Sequence, residues 1–320
     1  MNDLKFVLVG YGNIAKKHLE VFKALNVYFS ASCNRSKEKR EEAKNLWGIP
    51  RTYENPEEMV EKEEPDGILI TTSFTENFKV AKKLIKYKIP ILLEKPPATS
   101  YKDAKELEIL SKKYKTPVMI GLNRRFYSIY LKALEKFGGR DNINYIYVEW
   151  SENPQYLRSI GYKEEEIKIF NYANSLHGID LVLFFVGNIK KYKSWGRNLG
   201  RDEEFRWQMG FEGENKKGAK INFYSNWDVP GRWRCLVDFN STRAVFAPLE
   251  TIQILSNNGK EIKPDEKDNV YKPGFFGQAK YFIDVVKNNK KIEFPACSLK
   301  ESLKAIKIAE DLTNKCLGKI

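Results

Sequence analysis

The sequence predicts an α/β protein in two parts. An N-terminal doubly wound parallel sheet is followed by an α+β domain with a large, mostly antiparallel open sheet. Over residues 4–120, short apolar runs alternate with amphipathic stretches, the rhythm of right-handed βαβ crossovers. A glycine-rich turn closes the first of these runs. After about residue 125 the pattern changes to longer segments of period-2 alternation, which read as antiparallel strands. The division falls at 1–122 and 123–320, and packing of the C-terminal helices back onto the first domain is left open.

In order, Lys5-Phe6-Val7-Leu8-Val9 reads as a buried strand and residues 14–25 as a helix. A strand at 27–33, a helix at 37–47 and a short apolar return at 49–53 come next. A strand at 67–72 leads to a helix at 77–87, then a strand at 90–94, a helix at 101–114 and a last strand at 117–121. The second part opens with a helix at 128–137 and a long alternating strand at 142–150. An amphipathic helix over 172–185 comes after it, with Ile179, Leu183 and Val186 on its apolar side. Strand-like runs cover 205–211, 219–227, 232–239 and 243–255, with turns at Pro230-Gly231 and Asn257-Asn258-Gly259. Helices at 277–287 and 299–314 end the chain.

Composition excludes several classes. The 320 residues carry a net charge of +13, but 42 of the 55 basic residues are lysines, scattered among Asp and Glu on helix patterns. That is a solvated lysine-rich surface rather than a nucleic-acid footprint. The four cysteines (Cys33, Cys235, Cys297, Cys316) lie far apart with no histidine cluster, so neither a disulfide framework nor a metal site is expected. The most apolar stretch, at 178–186, is too short for a membrane span. With a strand starting almost at once and no signal peptide in view, a reducing cytoplasm is the expected compartment.

Gly10-Tyr11-Gly12-Asn13-Ile14-Ala15 fits GxGxxA, the looser dinucleotide fingerprint of a Rossmann domain. Gly10 permits the tight turn, Gly12 lets backbone approach a pyrophosphate, and Ala15 allows close helix–strand packing. Asn13 and Ile14 open the helix whose N-terminal N–H groups face the phosphates. The end of the second strand would carry a carboxylate if the ribose 2′-hydroxyl were read; Cys33-Asn34-Arg35-Ser36 has none. A guanidinium and a hydroxyl there suit a 2′-phosphate, so NADP(H) is favoured over NAD(H), against the bland alternative of a solvated loop that tolerates both.

Three further motifs stand in order along the chain: Leu93-Glu94-Lys95-Pro96, Gly121-Leu122-Asn123-Arg124-Arg125-Phe126, and His177-Gly178-Ile179-Asp180. With the glycine turn, Thr71-Thr72-Ser73 and Tyr271-Lys272-Pro273-Gly274-Phe275, they resemble the glucose–fructose oxidoreductase / inositol dehydrogenase (Gfo/Idh/MocA) family. The resemblance implies a dinucleotide-contact set extended by Thr71, Thr72, Asn77, Glu94, Lys95 and Asn123. It further implies that Lys95 hydrogen-bonds the reacting oxygen, that Glu94 helps seat the nicotinamide ribose, and that the Lys95–Pro96 bond is cis. A partly desolvated lysine beside a cationic ring should have a depressed pKa, which suits proton shuttling. His177 is the implied acid/base, since alcohol oxidation requires a proton acceptor tuned near neutral pH. His18, the other histidine, is expected to pack structurally on the first helix.

One departure stands out. The family pattern has an aspartate four residues before the histidine, and here that position is Ala173. Tyr172 or Asn174 could substitute, or the site could bind without turning over. Candidate substrate contacts are Tyr156 and Arg158, then Trp227, Arg232 and Trp233 around a hairpin turn, where aromatic faces suit sugar C–H surfaces and arginine suits phosphate or carboxylate. A core or dimer-interface role for these tryptophans is the equal alternative. The resemblance implies an NAD(P)-dependent oxidoreductase acting on a sugar, sugar derivative or nucleotide-linked sugar, working as a homodimer or homotetramer without nucleic-acid or membrane partners. The alternative is a dinucleotide- and sugar-binding protein with little or no catalysis.

Overall fold

The computed structural model describes residues 4–201, 204–231, 233–256 and 261–319. Arg232 and the expected Asn257-Asn258-Gly259 turn lie outside the described residues. Grouped by contacts, the chain forms two compact units, residues 1–126 with 267–303, and residues 127–266 with 304–320.

The first unit alternates strand and helix. β1 (Phe6–Val9), α1 (Asn13–Ala24), β2 (Phe29–Cys33), α2 (Lys37–Trp47), β3 (Arg51–Tyr53) and α3 (Pro56–Glu63) come first. β4 (Gly67–Ile70), α4 (Asn77–Leu84), β5 (Ile91–Glu94), α5 (Tyr101–Tyr114) and β6 (Val118–Gly121) complete the series. The order β3-β2-β1-β4-β5-β6 is parallel throughout, so its reversal at β1/β4 makes a ligand crevice at the strands' carboxyl ends. Successive residues point to opposite faces: Leu8, Leu69, Leu92 and Met119 enter one buried cluster, while Val7, Val9, Ile68, Ile70 and Leu93 enter the other. That two-sided burial is why these strands read as continuous apolar runs.

The second unit begins with α6 (Ser128–Lys136), β7 (Ile143–Glu149), α7 (Pro154–Ser159) and α8 (Glu164–Ile167). A π-helical turn, Asn171–Ser175, runs straight into α9 (Leu176–Val186). β8 (Ile189–Asn198), β9 (Trp207–Asn215), β10 (Lys220–Asn226), β11 (Arg234–Phe239), β12 (Thr242–Phe246) and β13 (Gln253–Leu255) come after it. Their sheet has the order β13-β12-β11-β7-β10-β9-β8, antiparallel except for the β7–β10 pair. α9 differs from its expected amphipathic form: all eleven residues are buried, because it lies against β7 and β10 with no solvated side. Residues 164–186 are by length and composition able to cross a membrane, and 89% of their apolar window is buried inside the protein.

After α10 (Glu266–Val270) the chain contributes α11 (Phe275–Asn288) and β14 (Cys297–Ser298) to the first unit, where β14 pairs antiparallel with β6. α11 packs beside α1, bringing Phe282 to 6.0 Å from Phe6, whose ring also meets Phe22 at 5.5 Å and Phe29 at 6.1 Å. The final helix, α12 (Leu299–Cys316), ties its later part to the second unit through Tyr192, whose hydroxyl donates to Asp311 at 2.5 Å.

Candidate functional site

The glycine turn is shaped by close backbone approach. Gly10 has φ +88°, and a Cβ there would sit 2.8 Å from the Thr71 carbonyl carbon and oxygen. The Thr71 hydroxyl donates to the Gly10 carbonyl at 2.7 Å, locking β1 to β4 at the crevice. Gly12 is the N-cap of α1, with no side-chain cap and no acidic residue in the first turn. Nothing lies within 4 Å of where its Cβ would be. The α1 terminus therefore offers backbone N–H groups and positive dipole to open space, an arrangement that fits a pyrophosphate.

A cleft of about 720 Å³ runs from this turn, within the range of small-molecule sites. Gly10, Gly12, Ile14, Asn34, Arg35, Thr71 and Thr72 of the expected set line it. Asn13 does not line it but forms the first residue of α1. Tyr11, Glu54, Asn55, Ser73 and Lys79 line it beyond the expected contacts, and Tyr11 takes a hydrogen bond from Trp47 Nε1 at 2.9 Å. The switch-point rule, applied to the loop after β3, could have found Glu54 and Asn55. Cys33 also borders the cleft, but burial pushes its thiol up to about 12, so it is no nucleophile.

At the ribose end the expected pair separates. The Arg35 side chain is 86% exposed, with Glu76 3.9 Å away, and is free to meet a ligand. Ser36 differs from its expected role: its hydroxyl caps α2 by accepting from Lys39 N at 3.2 Å and donates to Glu38 at 2.5 Å. Asn34 accepts from Ser36 N at 3.0 Å, which shapes the same turn.

The Glu94-Lys95-Pro96 turn leaves β5 with a cis Lys95–Pro96 bond. Asn77 is fully buried, donating to the carbonyls of Glu94 at 2.8 Å and Pro96 at 2.9 Å and accepting from Thr72 Oγ1 at 2.8 Å. With its amide occupied, Asn77 holds the turn in place rather than facing a ligand. Asn123 is similarly engaged, donating to the Pro273 carbonyl at 2.9 Å. His18 does more than pack. Its Nε2 lies 2.8 Å from Glu94 Oε1, with both side chains buried, and its ring lies tilted against Phe275, with centroids 4.7 Å apart. Nδ1 has no hydrogen-bond partner among the described residues. Glu94 is thereby aimed, and its other oxygen accepts from Lys95 N at 3.2 Å.

In the second unit, His177 is buried at the start of α9, directly after the π-helical turn. Trp150, at the end of β7, puts its ring 6.3 Å from the imidazole and stacks on Trp233 at 4.6 Å. Glu152 is also buried, and its Oε1 accepts from Trp150 Nε1 at 2.9 Å, Asn174 Nδ2 at 2.9 Å and Ser175 Oγ at 3.4 Å. Glu152 is invisible to sequence reading, because it lies in the 150s and its donors Asn174 and Ser175 in the 170s. Tyr172 is buried, which holds its phenol protonated, with Glu310 and Asp311 adding to the effect. Asp180 is buried further along α9.

The remaining candidates scatter. Trp227 is a core residue, stacked at 4.9 Å on Trp207 with its N–H donating to Ser225 Oγ at 3.1 Å. Trp233 donates to the Ser151 carbonyl at 2.9 Å. Arg158 forks onto Glu164 at 2.7 and 2.9 Å, and Tyr156 is exposed on α7. A hollow of about 370 Å³ brings Arg158 and Trp227 together with Asn153, Arg206 and Asp228.

Residues 4–122 match the family described as "Oxidoreductase family, NAD-binding Rossmann fold" (GFO_IDH_MocA). Among characterised proteins, the chain is 33% identical over 76 residues to a rhizopine catabolism protein, MocA, of Rhizobium meliloti, covering 24% of each. It is 26% identical over 125 residues to a myo-inositol 2-dehydrogenase of Thermotoga maritima, covering 38% of this chain and 37% of that one. The matched segments thus span about a quarter and somewhat over a third of those relatives. An oxidoreductase from Agrobacterium radiobacter, solved with NAD+, L-tartaric acid and magnesium, superposes with TM-score 0.82 at 16% identity, covering 98% of this chain and 96% of that one. A UDP-N-acetylglucosamine 3-dehydrogenase from Acidithiobacillus ferrooxidans gives 0.80 at 14% identity, covering 100% and 99%. At these identities the superpositions establish the fold.

Proposed function

We infer, from a Rossmann region over residues 4–122 that belongs to the GFO_IDH_MocA oxidoreductase family, that this chain moves a hydride between a nicotinamide dinucleotide and a sugar-type substrate. The observation that carries the reading is the Glu94-Lys95-Pro96 turn, fixed by the buried Asn77 and His18 in the unit that holds the dinucleotide cleft. Such fixing of a charged side chain at a strand's carboxyl end is what orientation of a reacting group requires. The bound nicotinamide would accept or donate the hydride. Lys95 holds the substrate oxygen through its ammonium, and His177 takes the hydroxyl proton as the carbonyl forms. The inositol and amino-sugar activities of relatives support a polyhydroxylated substrate.

The test is substrate-dependent reduction of NADP+ and NAD+ across a panel of sugars, cyclitols and nucleotide sugars, using protein stripped of nucleotide. Turnover with at least one panel member is expected. Ala173 favours a second reading, binding without catalysis. Tight cofactor and sugar binding with no reduction anywhere in the panel would establish that reading instead.

NADP(H) is the proposed cofactor, and the support for it is Arg35, exposed at the cleft's edge where a 2′-phosphate would lie. Arg35→Asp is expected to weaken NADPH binding by about tenfold or more, the loss of charge-assisted hydrogen bonds worth ~1.5–3 kcal/mol. NADH binding should hardly change. Tryptophan-fluorescence titrations read both, and equal NADPH affinity in variant and wild type would refute the preference.

A further inference from the structure

We propose that Arg40 is a positioning residue for nucleotide choice. From the start of α2 it holds the two peptide groups that flank Arg35, and so sets the Arg35 guanidinium at the cleft edge for a 2′-phosphate. The proposal rests on the NADP(H) reading and adds to it a residue that does not itself line the cleft.

Arg35 stands on the short loop between β2 and the Ser36 cap of α2, and its side chain is 86% exposed. A long side chain on such a loop has many directions open to it, and a ligand that needs only one of them must bear the cost of ordering it. Arg40 narrows the choice in advance. Its Nη1 donates to the Asn34 carbonyl at 2.7 Å and to the Arg35 carbonyl at 3.1 Å. These carbonyls belong to the peptide planes on either side of the Arg35 Cα, so one nitrogen fixes both planes and with them the direction in which the side chain leaves. The Asn34–Arg35 peptide is trans, so its N–H points away from that nitrogen, and among the described residues nothing accepts from it. The loop therefore carries a backbone donor beside the Arg35 guanidinium.

Arg40 is itself held. Its Nη2 donates to Glu54 Oε1 at 2.5 Å, and its side chain is only 12% exposed. Glu54 comes directly after β3 and lines the cleft, while the Asn34 N–H donates to the carbonyl of Tyr53, the last residue of β3, at 3.1 Å. The loops after β2 and β3 are thus tied twice, once through backbone and once through Arg40. Mostly buried and set against Glu54, Arg40 is placed to act through Arg35 rather than on the phosphate. The role requires arginine, because the compact ammonium of lysine lacks a fork that spans two carbonyls and a carboxylate.

The test uses the full chain stripped of nucleotide, with NADPH and NADH titrated by tryptophan fluorescence. Arg40→Met keeps an apolar stem and removes every side-chain donor. It should weaken NADPH binding about tenfold, since the ligand must then order the loop, and NADH binding by less than about threefold. A merely structural role would move both cofactors together. Added to Arg35→Asp, Arg40→Met should cost nothing further for NADPH, because the group it positions is already gone. Unchanged NADPH affinity in folded Arg40→Met, where Arg35→Asp does weaken it, overturns the proposal and leaves the cofactor reading standing. Additive losses in the double variant overturn it as well, since Arg40 would then act independently of Arg35. If Arg35→Asp leaves NADPH affinity unchanged, the cofactor reading falls and the role of Arg40 in nucleotide choice falls with it. Should Arg40→Met not fold, Arg40→Lys takes its place: it should lose at least about threefold of the NADPH preference, and full preference in that variant overturns the proposal.

Discussion

Lys95→Ala is expected to lower kcat about a thousand-fold, roughly 4 kcal/mol of barrier, while leaving dinucleotide affinity nearly unchanged. The split comes from where the residue sits. The features that fit a pyrophosphate belong to Gly10, Gly12 and the α1 terminus, none of which depends on the Lys95 side chain. Lys95 comes after β5 on a turn that Asn77 and the His18–Glu94 pair hold in place, so removing its ammonium should delete a group without collapsing its surroundings. A group that acts on the reacting oxygen contributes mainly in the transition state and therefore appears in kcat. His177→Ala should cost a similar factor, and the double variant should cost much less than the product of the two, as expected for groups that serve one step. Stopped-flow or steady-state reduction of the cofactor, with fluorescence titration for affinity, checks all three. Normal turnover by Lys95→Ala would remove it from the reaction.

A large stability loss is expected from Gly178→Ala. A Cβ at that position would lie 2.6–2.8 Å from three atoms of the Trp150 indole, well inside contact distance. The indole has little room to yield: it is fully buried, stacked on Trp233 and tied by its N–H to Glu152. Overpacking of this kind costs about 3 kcal/mol, offset by roughly 1 kcal/mol from the better helix propensity of alanine. A net loss of about 2 kcal/mol should show as a lower urea midpoint tracked by tryptophan fluorescence. The displaced indole should also disturb His177, so kcat should fall even in the folded fraction. A variant as stable as wild type would mean that the helix shifts as a body to make room.

Legibility in the sequence tracks how locally each feature is determined. Buried parallel strands such as Ile91–Glu94 stand out as apolar runs between turn residues, and the glycine turn and Glu94-Lys95-Pro96 are contiguous motifs. β8, Ile189–Asn198, is hidden because it lies at a sheet edge and alternates lysines with Tyr192 and Trp195, a pattern that also suits a solvated loop. α3 is hidden because five of its eight residues are charged, although Asn55 caps it and Pro56 starts it. Nothing in the local pattern distinguishes the π-helical turn from ordinary helix, and the apolar stripe of α9 gives no sign that its other side is buried too. The supporting contacts of the site are the least legible: His18 and Glu94 are 76 residues apart in the chain and meet only once the sheet forms.

The return of residues 267–303 to the first unit sets an order of events during synthesis. The face that carries Phe6, Phe22 and Phe29 is finished by Phe282 of α11, which leaves the ribosome more than 150 residues after Phe126. At translation speeds of 5–20 residues per second, that face waits roughly ten to thirty seconds with part of its aromatic surface uncovered. Those rings thus wait for α11 while the intervening residues of the second unit are made, and a chain cut short after Gly121 would carry all six parallel strands with that face left open.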